Sequence, residues 1–138
     1  DAVFDIKCPT SLKSFCQLVQ DDSIEMVRNN HKDGDKYYWQ IVSNAILLNK
    51  DFGELIVYVP YKDDLKIIRE MADNYDGNQN KIAWINWAED DDLPYLIRDG
   101  ELKDINIIRF EIPKDDKDFL VERMKCLSHY LNPWPNKN

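Results

Sequence analysis

Cysteine is scarce and unpaired in this sequence: Cys8, Cys16 and Cys126 make an odd number, and none stands in a C-x-x-C spacing. Histidine occurs at only two distant positions, His31 and His129. The spacing of a His/Cys zinc site is therefore missing, and reduced thiols in a cytoplasm are expected. No apolar run approaches the roughly 20 residues that a membrane span needs, and Asp1-Ala2-Val3-Phe4-Asp5 has no basic, signal-like character. A soluble chain without a membrane partner is expected. Positive charge is in deficit: 18 Lys and Arg stand against 26 Asp and Glu, a formal net charge of -8. Such a balance excludes a protein that coats nucleic acid by charge alone. It leaves room for a metal-dependent phosphodiesterase, whose centre is acidic and whose bound cations reverse the local field.

What is present predicts one globular domain over residues 1–138. The apolar fraction is 43%, and neither repeats nor low-complexity tracts interrupt it. Val3 to Cys8 reads as a strand stopped by Pro9, and Ser11 to Val19 as a short helix capped by Ser11. Asn29 to Asp35 reads as a loop. Lys36 to Asn49, with Tyr38, Ile41, Val42, Ala45, Ile46 and Leu48 on one face and Asp35 as its capping candidate, reads as the strongest helix. Leu55 to Val59, closed by Pro60, suits a strand buried on both faces. Strand, helix and strand in that order imply a parallel pair with a right-handed crossover. Asp63 to Tyr75 looks helical, Ile82 to Trp87 is open between strand and helix, Ile105 to Ile112 is a strand, and Phe119 to Leu131 is an amphipathic helix. The fold class is α/β, a mixed sheet flanked by helices, with Val3–Cys8 and Leu55–Val59 as its central strands.

The first candidate for chemistry is Asp5-Ile6-Lys7. Strand alternation puts the carboxylate and the ammonium on one face and sends Phe4, Ile6 and Cys8 to the other. A carboxylate so placed can ligate Mg²⁺ through hard oxygens, and the lysine can orient water and offset phosphate charge. The same acid-x-Lys pattern recurs at Asp64-Leu65-Lys66, Glu101-Leu102-Lys103 and Asp115-Asp116-Lys117. Two of these fall at helix starts and one after a turn, whereas Asp5 and Lys7 sit on an apolar strand. Other groups have plain structural readings. Asp90-Asp91-Asp92 reads as a solvated run, Trp84 and Trp87 as half-buried packing residues, Cys8 as a small buried hydrophobe, and His31 and His129 as structural or exposed. Lys13, Arg28, Lys32 and Lys36 lie between the candidate strand and the long helix, where they could meet phosphate oxygens.

Asp5-Ile6-Lys7-Cys8-Pro9 followed by Tyr37-Tyr38-Trp39-Gln40-Ile41 resembles the lambda exonuclease and YqaJ-type viral recombinase family, in which an E-x-K-C-P strand precedes a helix bearing Y-x-x-Q. The resemblance continues through Leu47 to Phe52, Leu55 to Pro60 and Ile105 to Leu131. It implies a PD-(D/E)XK restriction-endonuclease-like core and an Mg²⁺- or Mn²⁺-dependent DNA exonuclease. Asp5 and the Ile6 carbonyl would be metal ligands, Lys7 the water-positioning cation and Gln40 an orienting group, with Tyr37 beside it near the nucleic acid. The implied substrate is the end of linear duplex DNA in a bacterial host cell. A single-strand annealing recombinase would be the partner, and ring-forming homo-oligomers are among the states the family adopts. The family's glutamate is here Asp5, one methylene shorter. Its upstream aspartate, first helix and hairpin are expected ahead of Asp1, so the chain reads as the C-terminal part of a longer nuclease. The alternative is a catalytically inactive, nuclease-like scaffold that binds nucleic acid or a recombination protein.

Overall fold

The structure is a computed structural model that describes residues 1–131. It is an α/β arrangement with a three-stranded mixed sheet in the order β1 (Ala2–Lys7), β2 (Phe52–Tyr58), β3 (Ile105–Glu111). β1 and β2 are parallel, with Asp5 beside Leu55 and Lys7 beside Val57, and β3 runs antiparallel to β2. Three helices fill the crossover: α1 (Leu12–Val19), α2 (Ile24–Asn30) and α3 (Gly34–Leu48). Ser11 caps α1 and Ser23 caps α2, each hydroxyl accepting a backbone N–H of the first turn at 3.3 Å. Asn49, at φ 51° and ψ 55°, ends α3 in the left-handed conformation common at helix C-termini.

The core forms where these helices meet one face of the sheet. Phe15 and Leu18 from α1, Ile24 and Val27 from α2, and Tyr38, Ile41, Val42 and Ala45 from α3 pack against Val3, Leu55 and Val57. Two glycines let α3 come this close. A Cβ on Gly53 would lie 2.5 Å from Ile41 Cγ2, and one on Gly34 would lie 2.1 Å from the Val27 carbonyl oxygen. At Gly34 the obstacle is α2 backbone, which cannot rotate away. Gly34→Ala is therefore expected to lower stability by roughly 1–3 kcal/mol through overpacking, read as a lower urea midpoint. A midpoint equal to that of the unaltered chain would contradict the close approach.

Two expectations about the sheet fail. Among the described residues β1 is an edge strand, not a central one, and β2 is the strand with neighbours on both sides. β2 is buried on one face only: Leu55 and Val57 are covered, whereas Ile56 and Tyr58 are half-buried on the other, where Tyr58 borders a cleft lined by Leu65, Ile68 and Trp84. Phe4 and Ile6 from β1 and Ile105 and Ile107 from β3 are exposed on that open face. An all-apolar run cannot distinguish one covered face from two.

Three further helices follow among the described residues. α4 (Leu65–Asp73) follows a short 3₁₀ turn, α5 (Trp84–Trp87) is a single turn, and α6 (Lys114–Leu131) lies against α3. Arg69 holds the irregular stretch onto α4, donating to the Ile85 carbonyl at 2.6 Å, the Ala88 carbonyl at 2.8 Å and the Asp90 carboxylate at 2.8 Å. Trp84 and Trp87 are 51% and 82% exposed, so the expectation that both are half-buried fails for Trp87. The four-residue α5 is too short to present a buried face. Among the described residues no helix is long and apolar enough to cross a membrane.

α6 is fastened to α3 by Tyr38, whose buried hydroxyl donates to Asp116. Burial, then acceptance by and the charge of Asp116, push the Tyr38 hydroxyl far above its ordinary 10.0. A folded-state pKa raised in this way gives stability that is fully present below about pH 10 and is lost as pH climbs through the folded value. The melting temperature is expected to fall above about pH 10, and less steeply in Tyr38→Phe. Identical alkaline profiles for the two proteins would contradict the link.

Candidate functional site

Asp5 and Lys7 project from β1 toward the covered face, at the point where the first turns of α3 cross the sheet edge. Their separation by two residues is what a strand requires for a shared face. Lys7 Nζ lies 2.7 Å from Asp5 Oδ2, and the two side chains are only 20% and 16% exposed. From α3, Gln40 Oε1 accepts a hydrogen bond from the same ammonium at 3.0 Å, and the Tyr37 ring lies under it, 4.6 Å from Nζ to the ring centroid. Tyr37 and Gln40 stand three residues apart, so one α3 face brings both to Lys7. The ammonium is thus held by a carboxylate, an amide and an aromatic face, drawn from two elements 33 residues apart in sequence.

The contact between Lys7 and Asp5 is Coulombic rather than directed. The distance is that of a close ion pair, yet Asp5 Oδ2 is buried with no hydrogen bond of acceptable geometry. A hydrogen bond needs a donor aligned with the lone pair, so charge rather than direction joins the two groups. Asp5 Oδ2 therefore keeps a lone pair with no aligned donor, beside a close counter-charge. Burial, followed by the negative charges of Asp33 and Asp5, raises the Tyr37 hydroxyl pKa, so Tyr37 stays neutral beside the pair.

The rival acid-x-Lys sites do not assemble in this way. Lys66 lies 4.0 Å from Glu70 and Lys117 lies 2.8 Å from Asp51, each turned away from its motif partner, while Asp64 pairs with Arg98. Asp90-Asp91-Asp92 forms an exposed 3₁₀ turn, with Asp90 committed to Arg69. Asp1 pairs with Lys50 rather than joining Asp5. Among the described residues no group of three or more His, Cys, Asp or Glu side chains has metal-holding geometry.

The remaining candidates divide. Ile6 turns its side chain to the open face, which leaves its main-chain carbonyl as the group it could offer. Lys13 and Lys32 line one groove beside α1. Arg28 instead pairs with Asp35 at 2.7 Å and lies 4.0 Å over the Tyr38 ring, so it braces α3. Lys36 is exposed on α3. Cys8 is exposed rather than buried, because β1 ends at the sheet edge. Partial desolvation of its sulfur raises the thiol pKa, which keeps it protonated and unsuited to nucleophilic attack. His31, read from the sequence as structural or exposed, is 8% exposed and its ring lies 5.5 Å from that of Tyr37. A lone histidine in a polar stretch carries no periodic signal that would mark it as buried.

Comparison with family models, with curated proteins and with solved structures finds no match to this chain.

Proposed function

We propose that the Asp5, Lys7 and Gln40 cluster is the active centre of a metal-dependent deoxyribonuclease, an exonuclease of the lambda and YqaJ type built on a PD-(D/E)XK core. The observation that carries the reading is the convergence of Gln40 on Lys7 beside the buried, undirected Asp5 Oδ2. Exact agreement with the E-x-K-C-P and Y-x-x-Q pattern supports it everywhere except at the aspartate in place of glutamate.

The residues present fit a divalent cation on chemical grounds. Asp5 Oδ2 is a hard anionic oxygen without a directed hydrogen bond, and Mg²⁺ characteristically takes one or two carboxylates and completes its shell with water and substrate phosphate. Asp5 and the Ile6 carbonyl would hold it. When bound, the ion supplies Lewis-acid stabilisation of charge on the phosphate and a more acidic water. Lys7 orients the attacking water and offsets phosphate charge, Gln40 and Tyr37 fix the ammonium, and Gln40 retains its amide hydrogens for a further acceptor. Substrate would be the end of linear duplex DNA, with the product strand passed to a single-strand annealing recombinase and homo-oligomers enclosing the duplex.

The single carboxylate at the cluster favours a second reading, a nuclease-like scaffold that binds nucleic acid or a recombination protein without cutting. Incubation of the chain with 5′-phosphorylated linear duplex DNA in Mg²⁺ or in EDTA separates the two. Degradation in Mg²⁺ and none in EDTA is expected; intact DNA in both, with binding retained, would overturn the nuclease reading in favour of the scaffold.

A further inference from the structure

The outer edge of β3 is unpaired. Val59 donates to the Asp104 carbonyl at 3.0 Å and Ile112 to the Asp51 carbonyl at 2.8 Å, just beyond the two ends of the β2–β3 ladder. Hydrogen-bonded and non-hydrogen-bonded positions alternate in an antiparallel pair. With Val57 beside Asn106 and Leu55 beside Ile108, that alternation turns the N–H and C=O of Asn106, Ile108 and Phe110 toward β2 and those of Ile105, Ile107, Arg109 and Glu111 outward. Among the described residues no strand lies on that side and no backbone group pairs with the outward ones. β3 also lacks the proline, lysine or bulge that commonly blunts such an edge.

A groove of about 280 Å³ lies along this edge, between the stretch Ile105 to Ile108 and the end of α1. Asp21 and Asp22 stand in its wall. Asp21 is 4% exposed; its Oδ1 accepts the Asn30 amide at 2.8 Å, whereas its Oδ2 is buried with no hydrogen-bond partner. Neither carboxylate is ion-paired among the described residues, although Lys103 lines the same groove. The Asn106 amide nitrogen donates to the Lys103 carbonyl at 2.8 Å, which leaves its Oδ1 as a further acceptor there. A carboxylate buried without a counter-charge is costly, and a cationic donor laid against this wall relieves the cost.

We propose that the β3 edge and this groove form a docking surface for an extended peptide of alternating basic and apolar residues. The peptide pairs main chain to main chain with Ile105, Ile107 and Arg109, adding a strand to the sheet. Side chains alternate across a strand, so one set of its residues falls on the covered side with Asn106 and Ile108, where Asp21 and Asp22 select lysine or arginine. The other set falls on the open side next to Ile105 and Ile107, which are 51% and 57% exposed and suit valine or isoleucine. Charge complementarity favours a basic partner over an acidic one, and over a second copy of a chain whose net charge is -8. β1, with the Lys7 cluster, lies on the far side of β2, so the surface does not rest on the nuclease reading.

The test titrates the full chain with a capped peptide of alternating valine and lysine, as long as β3, and with a valine–glutamate peptide as control. Backbone ¹H–¹⁵N spectra should show saturable shifts and slower amide exchange at Ile105 and Ile107 with the lysine peptide, no response to the glutamate peptide, and unmoved signals at Lys7. Asp21→Asn/Asp22→Asn, which keeps an acceptor for Asn30, should require at least about tenfold more peptide for the same shift. Asp22→Lys, a change at an exposed side chain, should weaken binding in the same direction. Thermal melts verify that each variant folds. Signals that ignore the lysine peptide, an equal response to both peptides, or unchanged binding in the folded variants would overturn the proposal. Shifts at Ile105 and Ile107 that grow with protein concentration in the absence of peptide would assign the edge to contact between copies of the chain, and would overturn it as well.

Discussion

On the proposed nuclease reading, Lys7→Ala is expected to lower the rate of Mg²⁺-dependent DNA hydrolysis by about 10² to 10³-fold, the loss typical when one preorganised donor to a charged transition state is removed. The size follows from how firmly the ammonium is held. Asp5 on its own strand, Gln40 from α3 and the Tyr37 ring fix Nζ before substrate arrives, so little reorganisation accompanies the reaction. Lys7→Met keeps the aliphatic stem over Tyr37 and is expected to lose as much activity as Lys7→Ala, which separates charge from packing. Initial rates on end-labelled duplex, with thermal melts to verify folding, check both variants. Activity within about threefold of the unaltered chain in either would remove Lys7 from the chemistry.

The second large effect is on stability. Phe15→Ala destabilises the fold by about 3–5 kcal/mol, the range for a fully buried aromatic whose cavity does not collapse. Phe15 is wholly inaccessible and joins α1 to the covered face of β2 and to α2 and α3 through the common core. Domains of this size are stable by only about 5–15 kcal/mol, so the variant loses a large share of the total. Urea unfolding should show a lower midpoint at unchanged slope. A loss under about 1 kcal/mol would mean that α1 is not anchored as described.

Much of this arrangement was legible from residue pattern, and its gaps have physical causes. Alternation at Asp5 and Lys7 gave their common face, and the apolar spacing from Tyr38 to Leu48 gave α3, because both periods are strong over their lengths. α2 went unread because its buried face has only Ile24 and Val27, too few for a periodic signal, even though Ser23 marks its cap. The edge position of β1 and the open second face of the sheet depend on which strands pair, information that no local pattern contains. At the site, alternation paired Asp5 with Lys7, and only the resemblance joined Gln40 to them. Their junction depends on the angle at which α3 crosses the sheet, set by Gly34 and Gly53. Tyr37 as a shelf beneath the ammonium, and the buried His31 beside it, follow from the same crossing.

Calorimetric titration of Mn²⁺ into the unaltered chain and into Asp5→Asn reads whether Asp5 presents a metal-binding oxygen beside Lys7. A saturable heat is expected in the unaltered chain and its loss in Asp5→Asn, while both proteins melt as folded domains. Equal heats in the two, or none in either, would contradict it.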